Sequence, residues 1–236
     1  MAETSVPASS TIRGISSMAT RQLLAELSAQ YTAATGQAVA IEAVGGVDAA
    51  KRVAAGEAFD VVLLASEAID KLIAAGHLAA GSRVDIVRSP VAVAVKAGAA
   101  QPDITTPGAL KAALLAARSI GYSTGPSGTH LVKLFERWGL AAELGAKTVQ
   151  APPGVPVGAL VGRGEVDLGF QQLSELISLD GISVLGLLPG DTAFITIFSA
   201  GVPAHTPQAA AVAGLLSFFN SADTVAVKRR HGMEPA

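Results

Sequence analysis

Hydrophobic positions along this chain change period at short, regular intervals. Brief runs that alternate or stay apolar, as strands do, trade places with stretches where apolar residues recur three and four apart, as on helices. Residues 11–15 read as a strand, and 18–34 as a helix with Leu23, Leu24, Leu27 and Tyr31 on one face. A strand over 38–44 is broken by Gly45-Gly46, and a short helix over 47–55 is closed by Gly56. Residues 59–65 form a buried strand and 67–75 a helix closed by Gly76. This βαβαβα order predicts a mostly parallel sheet covered by helices.

Residues 83–96 make a long alternating strand with Pro90 inside it, which argues for an edge or a crossing between domains. The alternation then restarts: helix 107–117, strand 119–122, helix 128–138, strand 147–151, helix 155–163, strand 166–170 and a helix from Leu173. Residues 191–200 are a second long apolar strand, and 207–220 and 221–230 are closing helices. The two long strands bracket the middle block. The expected fold class is therefore α/β, with two lobes joined by two crossing strands and each lobe a mostly parallel sheet flanked by helices. The first lobe takes 11–88 and 201–236, the second 89–200, and a ligand cleft lies between them. There is no internal repeat.

Composition narrows the class. Half of the 236 residues are apolar but only 4% are aromatic, so the core is built of Ala, Val and Leu. Mean hydropathy is +0.47, yet no apolar run reaches the length of a membrane span. The longest run, 209–216 with its Phe218-Phe219 extension, is broken by Ser217 and fits a core helix, so no membrane insertion is expected. A net charge of −2 with scattered basic residues offers nothing to nucleic acid. With no cysteine there is no disulfide or thiolate metal site, which fits the cytosol or the periplasm alike. The start Met1-Ala2-Glu3-Thr4 suits either a mature N-terminus behind an added initiator or a natural cytosolic start, and residues 1–10 read as a loose tail.

Four junctions between a strand and the next helix share one design. They are Gly14-Ile15-Ser16-Ser17, Val44-Gly45-Gly46-Val47, Ser123-Thr124-Gly125-Pro126-Ser127-Gly128-Thr129-His130, and Pro153-Gly154-Val155-Pro156-Val157. Each lies at the carboxyl end of a strand, where open α/β sheets bind ligands. Each leaves backbone N–H groups free at a positive helix end, which suits an anion. A single such junction is equally a tight turn and nothing more; the recurrence carries the anion reading.

His130 falls in the first turn of its helix, off the apolar stripe, where the neutral imidazole is favoured and can serve as a base or simply as a polar flank. Arg13 and Arg88 interrupt apolar strands; each suits a bidentate carboxylate clamp or an outward-facing strand position. Gln171 and Gln172 follow the strand ending at Phe170 and either read a carboxylate or open a polar helix turn. Asp60 reads as the anchor of its turn. None of His77, His130, His205 and His231 has metal-ligand spacing. There is no Gly-x-Ser-x-Gly elbow, P-loop or well-placed dinucleotide fingerprint, and Gly162-x-Gly164 ends a helix rather than starting one.

From about residue 11 to 230 the pattern resembles the periplasmic molybdate-binding proteins, which have the type II solute-binding fold. The resemblance rests on Ser16-Ser17 after the first strand, on the Gly56 to Asp60 turn before a strand, and on Pro126-Ser127-Gly128 at a helix start. It implies the periplasm. Three departures point to a different and larger anion. Gly45-Gly46-Val47 stands where the family has a serine-rich junction, Gln172 where it has a tyrosine, and Pro156 near a position that normally donates an N–H.

Together with Arg88, Tyr122 and His130, the stretches from Arg13 to Arg21 and from Gly121 to His130 resemble the aconitate isomerases, which use this fold for catalysis. That resemblance implies an allylic proton shift between cis- and trans-aconitate, needing no metal or organic cofactor. His130 would be the base and Tyr122 a proton donor. Ser17, Ser123, Ser127 and Thr129 would hold carboxylates, alongside Arg13, Ser16, Gly45, Gly46, Val47, Arg88, Gly128, Pro156, Val157, Gln171 and Gln172 lining the site. The alternative is a binding protein that hands a molybdate-like oxyanion or organic carboxylate to an ABC permease. Fold alone does not separate the two.

Overall fold

A computed structural model describes residues 10–236, so the tail expected over 1–10 lies, Ser10 apart, outside the described residues. Alternation of strand and helix runs as the hydrophobic pattern predicts. β1 (Ile12–Ser17), α1 (Arg21–Thr35), β2 (Val39–Val44), α2 (Gly46–Ala54), β3 (Val61–Ala65) and α3 (Ser66–Ala74) open the chain. β4 (Val84–Lys96) follows, then α4 (Pro107–Ala116), β5 (Ile120–Tyr122), α5 (Pro126–Arg137), α6 (Ala141–Gly145), β6 (Thr148–Gln150) and α7 (Val157–Arg163). The remainder is β7 (Leu168–Gln172), α8 (Leu173–Leu176), β8 (Ile182–Leu187), β9 (Ile195–Gly201), α9 (Ala209–Phe219), α10 (Val225–Arg230) and β10 (Glu234–Pro235). The first helix is split: Met18–Thr20 is a 3-10 turn, and α1 starts only at Arg21. Sequence periodicity missed α6, β8 and β10, which are short or lack a clean period.

The strands form one hydrogen-bonded path, β2-β1-β3-β9-β4-β7-β5-β6, with β8 and β10 pairing β4 off this path. β4 is shared between two halves of that path. Its residues 84–90 pair with β9, and its residues 91–96 pair with β7 and β8. Pro90, which lacks an N–H, sits where the partners change, as its place in a long strand predicts. The chain crosses a second time at Phe194, whose carbonyl accepts from the N–H of Val91 before β9 begins.

Each half is covered on both faces. Side chains alternate along β3: Val61 and Leu63 pack with Leu23, Leu24 and Leu27 of α1 and Leu215 of α9, while Val62 and Leu64 pack with Ala49 and Val53 of α2 and Ile69 of α3. β4 does the same in the second half. Val91, Val93 and Val95 meet Leu110 of α4 and Leu131, Leu134 and Phe135 of α5. Ala92 and Ala94 face Leu176 of α8, and the small side chains let that short helix lie close to the sheet. No single described helix is long and apolar enough to cross a membrane.

Candidate functional site

Strand direction decides where the helix starts meet. β1, β2 and β3 are parallel, so their carboxyl ends share one edge. β9 is antiparallel to β3 and β4 is antiparallel to β9, so β4 leaves the first half through that same edge. β7 is antiparallel to β4, and β5 and β6 are parallel to it. Their carboxyl ends therefore point back along β4 toward the first half. Both sets of βα junctions face each other where β4 crosses.

In the first half, Ser17 ends β1 at this edge. Its residue is 7% exposed and its Oγ has no hydrogen-bond partner, one of three such buried hydroxyls among the described residues. A buried hydroxyl without a partner loses about 1–3 kcal/mol of solvation, so the position favours a bound acceptor. Gly46, the first residue of α2, lies against it: a β-carbon there would sit 3.5 Å from Ser17 Cβ. The opening N–H groups of α2, those of Gly46 and Val47, have no partner within the helix. Asp48 in the same turn is exposed and weakly paired with Lys51 at 3.9 Å.

Two expected site residues are engaged otherwise. Ser16 is fully buried between strands, and its Oγ donates to the Glu42 carbonyl at 3.2 Å, so it serves the sheet and not a ligand. Arg13 stands four residues before Ser17, about 13 Å back along the strand, at the opposite edge of the sheet. Its side chain is exposed, and its N–H donates to Asp60 Oδ2 at 2.9 Å. Asp60 also accepts from Thr206 Oγ1 and Gln208 Nε2, which makes it the anchor of its turn as expected.

In the second half, the turn into α5 is tightly built. Ser123 Oγ accepts from the Gly125 N–H at 3.3 Å and lies 3.0 Å from Ser127 Oγ. Thr129 Oγ1 donates to the Gly125 carbonyl at 3.4 Å. The N–H groups of Gly128 and Thr129 also go to that carbonyl, while the Ser127 N–H makes no hydrogen bond among the described residues. Gly128 must be glycine: a β-carbon would fall 1.8 Å from the Ser123 carbonyl oxygen and 2.8 Å from Cδ2 of Tyr122. Tyr122 is half-buried with its ring against this turn.

His130 is engaged elsewhere. Its Nε2 lies 3.1 Å from the Thr192 carbonyl, so that nitrogen carries the proton, and its ring stacks on Phe194 at 4.2 Å and 11°. Burial holds its pKa below the usual value, so it is neutral at pH 7. As built, the imidazole ties α5 to the crossing segment rather than resting free as a base.

The start of α7 contributes the N–H of Val157, while Pro156 before it has none. Gln171, at the end of β7, reaches over this start: its Oε1 accepts from Gly158 N–H at 3.3 Å, and its Nε2 donates to Glu175 Oε1 at 2.8 Å. Gln172 serves as a strut. With its amide turned to satisfy its neighbours, it accepts from Thr196 Oγ1 at 2.7 Å and donates to Ser89 Oγ at 2.9 Å and the Ser89 carbonyl at 3.0 Å. It thus binds both crossing strands to β7. Arg88 lies next to Ser89 on the opposite, exposed face of β4, without an ion pair among the described residues.

Glu175 and Arg21, neither of them singled out from sequence, line a seam between the halves. With Met18, Pro156, Ser174 and Leu179 they surround a small cavity of about 50 Å³. Ser174 Oγ donates to the Ala19 carbonyl at 2.8 Å and Ser178 Oγ to Gln22 at 2.9 Å, which draws α8 onto the turn after Ser17. Glu175 keeps a partial opening to solvent, but dense packing raises its pKa to about 7 through desolvation. Among the described residues no three acidic or histidine side chains cluster as a metal site would require.

Comparison with known proteins gives the family and the fold. An aconitate isomerase from a Pseudomonas species is 40% identical over 185 residues, which cover 78% of this chain and 70% of that protein. The periplasmic molybdate-binding protein of Azotobacter vinelandii shares the fold at a TM-score of 0.77, with 22% identity and coverage of 94% of this chain and 98% of that one. A tungstate-binding protein from Desulfovibrio alaskensis superposes at 0.66 with 19% identity, covering 96% and 98%. The family described as bacterial extracellular solute-binding protein matches residues 12–234, and the chain, with its facing helix starts across a shared strand, belongs to that family.

Proposed function

We propose that this chain is an isomerase that interconverts cis- and trans-aconitate in the cleft between its two halves, and that it works in the periplasm. The observation that carries the reading is the 40% identity, over most of the chain, to a protein named aconitate isomerase. The site chemistry supports it. Ser17 Oγ, the N–H groups of Gly46, Val47, Ser127 and Val157, and the Ser123–Ser127 hydroxyl pair suit the several carboxylates of such a substrate. Residues 11–88 with 201–236, and 89–200, act as the two lobes that close on it.

The reaction is a 1,3 proton shift. A base takes a proton from the methylene carbon and the electron pair spreads through the double bond into the conjugated carboxylate. A proton then returns at the far allylic carbon. Helix-end donors aimed at that carboxylate stabilise the delocalised anion without rearranging, which is where such sites gain most of their rate. The proton balance closes without an added redox or metal partner.

A second reading follows from the family itself: a solute-binding protein that delivers an oxyanion or organic acid to an ABC permease. Incubating pure protein with cis-aconitate and following the vinyl proton by NMR separates the two. Appearance of the trans isomer at a rate proportional to protein supports the isomerase. Calorimetric binding of aconitate or molybdate with no conversion supports the carrier.

A further inference from the structure

We propose that Glu175 is the catalytic residue that carries the proton in this isomerisation, a role that rests on the isomerase reading above. Three observations place it there. First, Glu175 lies in the seam between the halves, lining the same small cavity as Met18, the residue after Ser17, and Pro156, the residue before the Val157 N–H. Its neighbour Ser174 is hydrogen-bonded to Ala19, two residues past Ser17. The cavity that Glu175 lines is thus bordered by the chain neighbours of Ser17 and of Val157.

Second, its two oxygens are treated differently. Oε1 accepts from Gln171 Nε2 at 2.8 Å, while Oε2 makes no hydrogen bond among the described residues. Gln171 is itself fixed, because its Oε1 takes the Gly158 N–H. One oxygen is thus held in place and the other is left to react, the division of labour expected of a general base.

Third, Glu175 has no cationic partner among the described residues. Arg21 opens α1 on the far side of the seam and makes no ion pair among the described residues. His231, which also lines the cavity, is paired with Glu26 at 2.8 Å. A carboxyl placed in a buried seam for structural reasons would ordinarily be paired. Here the unpaired Arg21 is set to take a substrate carboxylate, and Glu175 is left for the C–H bond. Its raised pKa, about 7, fits: near neutral pH the group both accepts and returns a proton readily.

In the step, Glu175 Oε2 takes a proton from the methylene carbon. The C–H pair enters the allylic system and rests on the conjugated carboxylate beside Arg21 and the helix starts. The protonated Glu175 then gives its proton to the former vinyl carbon, the double bond shifts by one position, and the carboxylate is restored. No other reactant is consumed.

The test is turnover of cis-aconitate by NMR in D2O for the wild type, E175Q and E175D, with calorimetry of trans-aconitate binding to each. E175Q should lose about 10²–10⁴-fold in kcat. It should keep binding within about tenfold and lose solvent deuterium from the methylene position in step with turnover. E175D, one methylene shorter, should retain more activity than E175Q. Wild-type kcat/KM should rise with pH through an acid limb near 7 as Glu175 ionises, a measurement that needs no variant to fold. An active wild type with E175Q turnover within about threefold of it, or with a flat profile between about pH 5.5 and 8.5, overturns the role of Glu175 and leaves the isomerase reading standing. A wild type that binds aconitate without converting it overturns both.

Discussion

Replacing Glu175 with glutamine should stabilise the ligand-free protein, and only at neutral and alkaline pH. In the unfolded chain this carboxyl titrates near 4.5, and in the fold near 7. Below pH 4.5 both states hold the proton and the group contributes no pH dependence. Between those values the unfolded chain ionises while the folded one keeps its proton, so stability falls by about 1.4 kcal/mol per pH unit. Above pH 7 the loss is complete at about 3 kcal/mol, and about 2 kcal/mol is the better figure because the cavity mouth admits solvent. Glutamine cannot ionise, and its oxygen still accepts from Gln171 Nε2. The assay is thermal unfolding of both proteins at pH 4.5 and pH 8. At pH 8 the variant should melt roughly 4–8 °C higher, and at pH 4.5 the two should nearly coincide. An equal difference at both pH values, or a variant less stable at pH 8, would refute the desolvation argument. A variant that melts higher at pH 8 alone would show this side chain trading stability for reactivity, the usual bargain at an active site.

Three further variants probe the frame. Gly128→Ala forces a β-carbon to within 1.8 Å of the Ser123 carbonyl. The turn into α5 must shift, with a loss of about 1–3 kcal/mol by denaturant melts and more than tenfold weaker aconitate binding by calorimetry. Ser17→Ala removes a buried hydroxyl that lacks a partner, so the free protein should melt no lower than wild type while aconitate affinity drops about tenfold, or 1.4 kcal/mol. His130→Ala loses the Thr192 hydrogen bond and the Phe194 stack, about 1–2 kcal/mol of stability, and should lower kcat by less than tenfold. A loss near 10³-fold at intact binding would return His130 to the role of base.

Long periodic segments were readable because each buries one face on a sheet: α1, α5 and the strands β1, β3 and β4 fall within a few residues of their expected bounds. The four junctions were readable for a related reason, since small residues and glycine at a strand end leave few other local structures. Charged side chains were not. Arg13 and Arg88 interrupt apolar strands in the same way on paper, yet one lies at the far edge of the sheet and the other beside the crossing, a distinction set by strand direction and pairing. His130 looked free because its partners, Thr192 and Phe194, are more than 60 residues away. Glu175 sits in a four-residue helix with no period, and its surroundings come from distant parts of the chain, the Met18–Thr20 turn, the start of α1 and Pro156. One local signal was available: Gln171 and Glu175 are four apart, the spacing at which an amide can reach a carboxylate.

A cradle made of main-chain donors answers to mutation unlike one made of side chains. Every residue type except proline carries the same N–H, so saturation mutagenesis at Gly46, Val47, Ser127 or Val157 should leave the donor in place for all changes that keep the turn, and proline should be the disruptive class. Charge complementarity toward an anion is thereby insulated from sequence drift. On the proposed reading, selectivity and chemistry fall to the few side chains beside that cradle, Ser17, Arg21 and Glu175 among them. A lineage that starts from carrying an ion can then arrive at transforming one through a handful of substitutions, without rebuilding the pocket that holds the charge.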